Sequence, residues 1–356
     1  MKILIVTPYL DRLGGVANHY LGLKEHWALD VDYSFYGKKK DNASKIKVML
    51  KYPIDILRYL WKLFVRRPDV VIVNPSLRKF QIIRDGIYLM IASLLKINVV
   101  TFIHGFDLEL SERLSARRGL FQKVYNKSAF IYVLSSDFKH RLERAGINAP
   151  ILLTTTKVSD SLMHGYDYVP KRKVETLVFV ARVIKDKGIY EVLDALKILH
   201  AKYPFIKLEI AGDGEELSNA KEYVKRHGIA GVDFLGKISG ERLAHCYAHG
   251  DVFVLPTRSE GMATCILEAM AFGLPIISAP VGGIVDFFIN GENGFLLESY
   301  DPKQYADAIV ELVDNPERLS YMSEINYKYA KKNFMASSVA GRIQDDIVQY
   351  IGAKAE

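Results

Sequence analysis

At 356 residues the chain is longer than one hydrophobic core usually supports, so two domains are expected. Its 49% hydrophobic and 25% charged residues are the balance of a soluble globular protein, and no stretch is of low complexity. The net charge of +7 is uneven: residues 1–165 carry +12 and residues 166–356 carry −5, so the first half is expected to meet something anionic.

The chain opens on Lys2-Ile-Leu-Ile-Val-Thr7-Pro8, a short apolar run that reads as a buried strand over 3–7 and lacks the length of a signal peptide. Further strands are predicted at 31–36, 70–73, 99–103 and 130–134, with helices between them at 15–27, 54–65 and 81–95. The order βαβα implies a doubly wound α/β domain. The longest apolar run, 86–95, is too short to cross a bilayer. Residues 38–67 combine Lys38-Lys39-Lys40, Lys45, Lys47, Lys51, Arg58, Lys62, Arg66 and Arg67 with Tyr52, Leu57, Tyr59, Leu60, Trp61 and Phe64. Two readings stand for this segment: an amphipathic surface for an anionic membrane, or a solvated helix packed on its own sheet. Nucleic acid is not expected, since no binding module is recognisable.

Residues 157–173 have no period and end on Pro170 and a basic cluster, which reads as a linker. The alternation then restarts, with strands predicted at 176–181, 206–211, 232–235, 252–256 and 275–278. Helices are predicted at 188–202, 217–227, 242–248 and 263–272. The tail from 302 is helical in pattern, broken at Asn315-Pro316. Cys246 and Cys265 lie in apolar helical surroundings, without metal-ligand spacing, and all of this points to the cytoplasm. Two doubly wound domains are expected to bind ligands in a cleft at the carboxyl ends of their strands.

Four features fall at predicted strand ends. Gly14-Gly15 opens the first helix, where backbone amides can approach an anion, yet no G-x-G-x-x-G follows, which argues against a nicotinamide dehydrogenase. Arg182 and Lys187 stand five residues apart ahead of a helix, as suits a diphosphate whose charge grows on leaving. Glu260-Gly-Met-Ala-Thr-Cys-Ile-Leu-Glu268 enters a helix; the amides of Ala263 and Thr264 suit phosphate oxygens, and Glu268 suits a vicinal diol or a structural salt bridge. His104 ends a strand ahead of Gly105, as a ligand-facing residue or a core histidine.

With its Glu-x7-Glu motif from Glu260 to Glu268, the chain resembles family 4 of the retaining glycosyltransferases of GT-B fold. In support, and in the family's order, come Gly14-Gly15, His104-Gly105, Arg182 with Lys187-Gly188, Ala211-Gly212-Asp213-Gly214 and Pro280-Val-Gly-Gly283. The resemblance spans nearly the whole chain. It implies an N-terminal acceptor domain over 1–165, a nucleotide-sugar domain over 166–335, and a C-terminal helix over 336–356 that packs on the first. It implies that Arg182 and Lys187 bind the donor diphosphate and that Glu268 holds the ribose. Glu260 and His104 would meet the transferred sugar, while Gly15, next to Gly14, and the backbone of Gly261, Met262, Ala263 and Thr264 would meet the phosphates.

The expected donor is a nucleotide-diphosphate sugar, a UDP-sugar ahead of a GDP-sugar, with no cofactor and no metal. The expected acceptor is a glycan or a lipid-linked or polysaccharide precursor, with peripheral attachment to the inner face of the cell membrane as an added expectation. A nucleotide-sugar epimerase and a non-catalytic scaffold of the same fold are the alternatives. The chain departs from the family in two places. Met262-Ala263 stand where many members have Phe-Gly, and Thr154-Thr-Thr-Lys-Val158 replaces an Asn-Gly-Val-Asp type of turn.

Overall fold

The structure, a computed structural model, describes residues 1–12, 14–37, 45–116 and 119–352, with the side chains of 45–50 outside the description. It divides into two compact units, Met1–Thr156 with Ala336–Glu356, and Lys157–Met335.

The first unit runs β1 (Lys2–Pro8), α1 (Gly15–Leu23), β2 (Asp30–Tyr36), α2 (Lys45–Arg66), β3 (Val70–Val73), β4 (Ser76–Leu77) and α3 (Lys79–Leu94). It continues with β5 (Asn98–Ile103), β6 (Gly105–Phe106), α4 (Leu108–Ala116), α5 (Leu120–Tyr125), β7 (Phe130–Val133), α6 (Ser136–Arg144) and β8 (Ile151–Leu153). Six strands form one parallel sheet in the order β2-β1-β3-β5-β7-β8, while β4 and β6 pair as a small ribbon. The central strand β3 is apolar at every position, as a sheet covered on both faces requires, and all four of its residues are buried. The chain turns one way from β1 to β2 and the other way from β2 to β3 and β5. Right-handed crossovers then place α1 on one face of the sheet and α2 and α3 together on the other.

The second unit runs β9 (Thr176–Val180), α7 (Ile189–Leu199), β10 (Lys207–Ala211), α8 (Leu217–His227), β11 (Val232–Gly236), α9 (Glu241–His249) and β12 (Val252–Leu255). It ends with α10 (Thr264–Ala271), β13 (Ile276–Ser278), β14 (Gly294–Leu296), α11 (Pro302–Asp314) and α12 (Pro316–Asn333). Its parallel sheet has the order β11-β10-β9-β12-β13-β14, so the winding direction reverses between β9 and β12. α13 (Ala336–Ile347) then belongs to the first unit. There Gln344 Oε1 accepts from the amides of Ala28 and Leu29 at 2.7 and 2.8 Å, and the Tyr132 hydroxyl donates to Asp346 at 2.6 Å.

Two expectations are corrected. The stretch 157–173, read as a linker, lies within the second unit, and the unit boundary falls between Thr156 and Lys157 instead of at 165. The Val158 amide donates to the Phe334 carbonyl at 2.7 Å, and Leu162 and Met163 are buried in the second unit's core, so this aperiodic segment is packed although it has no regular structure. The helix predicted at 54–65 starts at Lys45 and passes through Pro53. Burial of Tyr59 and Leu63 against the sheet carries the helix past the proline's missing donor.

Candidate active site

Ligands of doubly wound sheets bind where the winding direction reverses, at the carboxyl ends of the strands. In the second unit that point brings the loop after β9 beside the loop after β12, and there Lys187 meets Glu260 across 73 residues of sequence. Lys187 is 8% exposed, and its ammonium spends its three protons on Glu260 Oε1 at 2.5 Å, Ser259 O at 3.0 Å and Thr257 Oγ1 at 3.2 Å. Thr257 is fully buried and also lies 3.3 Å from Glu260 Oε1, so one carboxylate oxygen is held by the protein while Oε2 has no hydrogen bond among the described residues. Arg258 braces the same loop, its amide donating to Asp186 O at 2.8 Å and its guanidinium pairing with Glu191 at 2.5 Å.

Arg182 does not join this cluster. It is exposed and lines a cavity of about 510 Å³ with Gly212, Asp213, Gly214, Lys237 and Ile238, at the carboxyl ends of β9, β10 and β11. The cavity wall depends on close backbone contact. A Cβ on Gly212, whose φ is +157°, would stand 1.8 Å from the Ala181 carbonyl oxygen, so only glycine lets this turn lie against the loop that carries Arg182.

Gly261, Met262 and Ala263 lead into α10, which begins at Thr264 behind an Ala263 that has no side chain to cap it. Four residues into that helix, half-buried Glu268 accepts from the Tyr247 hydroxyl at 2.9 Å. Burial pushes its carboxyl up to about 7, against the lowering effects of the Tyr247 hydrogen bond and the charge of Lys157. Lys157 is itself buried, which lowers its own pKa. It belongs to the stretch that departs from the family's usual turn, and its charge acts on Glu268.

In the first unit the winding reverses between β1 and β3. Gly14 is the N-cap of α1 and Gly15 its first residue, just beyond β1. Asn74, just beyond β3, donates to Val6 O at 2.9 Å and accepts at Oδ1 from Tyr20 at 2.7 Å. That orientation makes Oδ1 an acceptor, so the His104 Nε2 lying 3.1 Å away must carry the proton and donate it. Burial and the facing His19 hold the pKa of His104 well below the usual imidazole value, so the ring is neutral and its Nδ1 keeps a lone pair. The ring also stacks on Phe102 at 3.7 Å between centroids. His104 is therefore braced from below, by a side chain rather than by backbone.

Sequence reasoning missed Thr257, Tyr247, Asn74, Lys237 and Ile238, and marked Lys157 only as part of the unusual stretch 154–158. Only the glycine run at 211–214 signalled the cavity; the other residues carry no local motif and are recruited by strand order.

Residues 167–329 match the family described as Glycosyl transferases group 1. Over 353 residues the chain is 23% identical to an uncharacterised glycosyltransferase of Methanocaldococcus jannaschii, covering 96% of each chain. Over 139 residues it is 32% identical to the capsular polysaccharide biosynthesis glycosyltransferase CapM of Staphylococcus aureus, covering 38% of this chain and 36% of that one. Its fold is similar to that of HepE from Anabaena, solved in complex with UDP and glucose. The TM-score is 0.70 at 15% identity, over 98% of this chain and 99% of that one. The fold class is GT-B, each unit being a Rossmann-like parallel α/β layer.

Proposed function

We propose the donor and acceptor of this glycosyltransferase, a GT-B enzyme with a group 1 domain over residues 167–329: it moves a sugar, with retention, from a nucleoside diphosphate to a lipid-linked or polysaccharide precursor. The observation that carries the reading is the Lys187–Glu260 pair at the point where the second unit's winding reverses. A fixed ammonium there suits the diphosphate leaving group, whose charge grows as the glycosidic bond breaks. Because all three Lys187 protons are already bonded, contact with a phosphate oxygen replaces one of them, and the 3.2 Å bond to Thr257 is the longest. Arg182 supplies the second cation from the cavity, Glu260 offers Oε2 to a sugar hydroxyl, and Glu268 takes the ribose diol. Within the first unit, the Nδ1 lone pair of His104 suits a substrate hydroxyl. UDP is the preferred nucleotide, supported by the HepE complex with UDP. CapM, a capsular polysaccharide enzyme, supports a glycan precursor as acceptor.

Incubation with UDP-, GDP- and ADP-sugars, with and without a membrane-lipid extract, tests the reading. Release of UDP that the lipid stimulates, with the sugar's anomeric configuration kept in the product, is the expected result. Conversion of the donor into an isomeric nucleotide sugar without release would establish an epimerase instead.

The acidity of Glu268 makes a separate prediction. The ionised carboxylate is the better acceptor for two ribose hydroxyls, so donor KM is expected to be low above a pH of about 7 and to rise as pH falls through it. Tyr247→Phe removes a hydrogen bond that favours the ionised form, so the midpoint moves upward; an unmoved midpoint counts against the ribose role. Folding has the opposite slope. Between 4.5 and about 7 the folded chain keeps a proton that the unfolded chain has released, so this group's contribution to stability is lost as pH rises across that window. Glu268→Gln removes that loss.

A further inference from the structure

α2 and α3 lie side by side on one face of the first unit's sheet, and each is apolar on both sides. Inward, α2 buries Tyr59 and Leu63, and α3 buries Tyr88 and Leu89. Outward, α2 exposes Ile54, Leu57, Trp61, Phe64 and Val65, with Trp61 60% and Phe64 66% exposed. Their spacing of three and four residues sets them on one stripe opposite the buried side. α3 repeats the pattern with Phe80, Ile83, Ile87 and Leu94, of which Phe80 is 84% exposed. Adjacent stripes of this kind form an apolar surface that a soluble chain rarely leaves to water.

Charge identifies what covers it. The only acidic residues of the two helices, Asp55 and Asp85, are buried at 4% and 0% exposure. Arg58 stands 44% exposed within the α2 stripe, paired with Asp55 at 3.5 Å, exposed Lys51 lies within α2, and exposed Arg67, Arg78, Lys79 and Lys96 stand at the helix ends. We propose that the joint outer face of α2 and α3 docks the protein on an anionic bilayer. Trp61, Phe64 and Phe80 enter the interface between headgroups and acyl chains, and the cations meet the headgroups. A second copy of the chain fits less well, because a self-contact would set these cations against each other. Lys62 and Arg66, two cations of the sequence pattern, are tied to Asp32 at 2.9 and 3.2 Å and contribute little. Lys38, Lys39 and Lys40, and the side chains of Lys45 and Lys47, lie outside the described residues. Among the described residues no helix is long and apolar enough to cross a membrane, so the contact is a surface one.

The surface rests on the proposed lipid-linked acceptor for its purpose, but not for its test. The full chain is sedimented with vesicles of phosphatidylcholine and of its equal mixture with phosphatidylglycerol. Binding is expected to the mixed vesicles, weakening as salt rises, and the double variant Trp61→Glu/Ile83→Glu is expected to lose at least about tenfold in affinity. Both side chains are more than half exposed, at 60% and 56%, so the variant's thermal unfolding stays at the wild-type temperature. Should the melt shift, Leu57→Glu/Phe80→Glu on the same stripes gives the equivalent reading. Binding to neither vesicle, equal binding to both, or unchanged binding by the variants overturns the proposal, as does a wild-type dimer that the variants make monomeric without vesicle binding. Turnover of a water-soluble acceptor analogue separates the two readings. Variants that keep it while losing vesicles support the docking surface, and vesicle binding by a wild type that turns over no acceptor overturns the functional reading alone.

Discussion

Replacing Lys187 with alanine is expected to lower kcat by about 10²–10³-fold, the usual effect of removing one preorganised group that meets developing charge. The substitution removes the ammonium meant for the diphosphate, and it also frees Glu260 Oε1, which Lys187 holds at 2.5 Å in a half-buried setting. Leaving Glu260 and the Ser259 carbonyl without this donor costs about 1–3 kcal/mol of stability, too little to unfold an ordinary domain. Lys187→Arg keeps the charge but not the compact three-way geometry, so it should fall between alanine and wild type. Steady-state turnover with a saturating donor, beside a thermal melt, decides the matter. Turnover within about threefold of wild type in a folded Lys187→Ala protein would remove Lys187 from the chemistry.

Gly282→Ala carries the second large effect although its side chain touches no substrate. Gly282 has φ +65°, and a Cβ there would stand 2.3 Å from the Glu260 carbonyl oxygen and 2.7 Å from that of Gly261. The next amide, Gly283 N–H, donates to Gly261 O at 2.7 Å, so the Pro280–Gly283 turn is the floor on which the Glu260 loop rests. Alanine forces that loop outward. Strain of this kind costs about 1–3 kcal/mol, and an ångström of displacement at a catalytic group costs about 10²-fold in rate. The expected result is a lowered melting temperature together with a collapse of kcat. A variant that melts early yet turns over normally would show that Glu260 tolerates displacement, against its placement beside the sugar.

Much of the fold was legible because its signals are local. The apolar run at 70–73 is a strand with the predicted bounds, the helix at 217–227 likewise, and the renewed alternation after 176 marks the second sheet. Local signals also misled. Pro53 made a 22-residue helix look shorter, and the aperiodic stretch 157–173 looked free because packing without regular structure leaves no period to read. Of the two readings of the basic amphipathic segment, the structure shows the helix packed on its own sheet, with Tyr59 buried, Trp61 turned to solvent and Lys62 spent on Asp32, while a membrane for its outer face is the proposal made above.

The sequence by itself determined the chemistry on offer: the carboxylates of Glu260 and Glu268, the cations of Arg182 and Lys187, the imidazole of His104, and glycines where backbone must approach closely. It determined their order along a βαβ chain, because hydrophobic period and turn residues act over a few positions. Only the tertiary structure decided which of these groups meet. Lys187 and Glu260 are neighbours because the winding reverses between β9 and β12, bringing two distant loops to one edge of the sheet. Tyr247 reaches Glu268 from another helix, and Asn74 fixes the His104 tautomer from another strand's end. Strand order follows from crossover direction and from burial summed over a whole sheet, and no short stretch of residues carries that information.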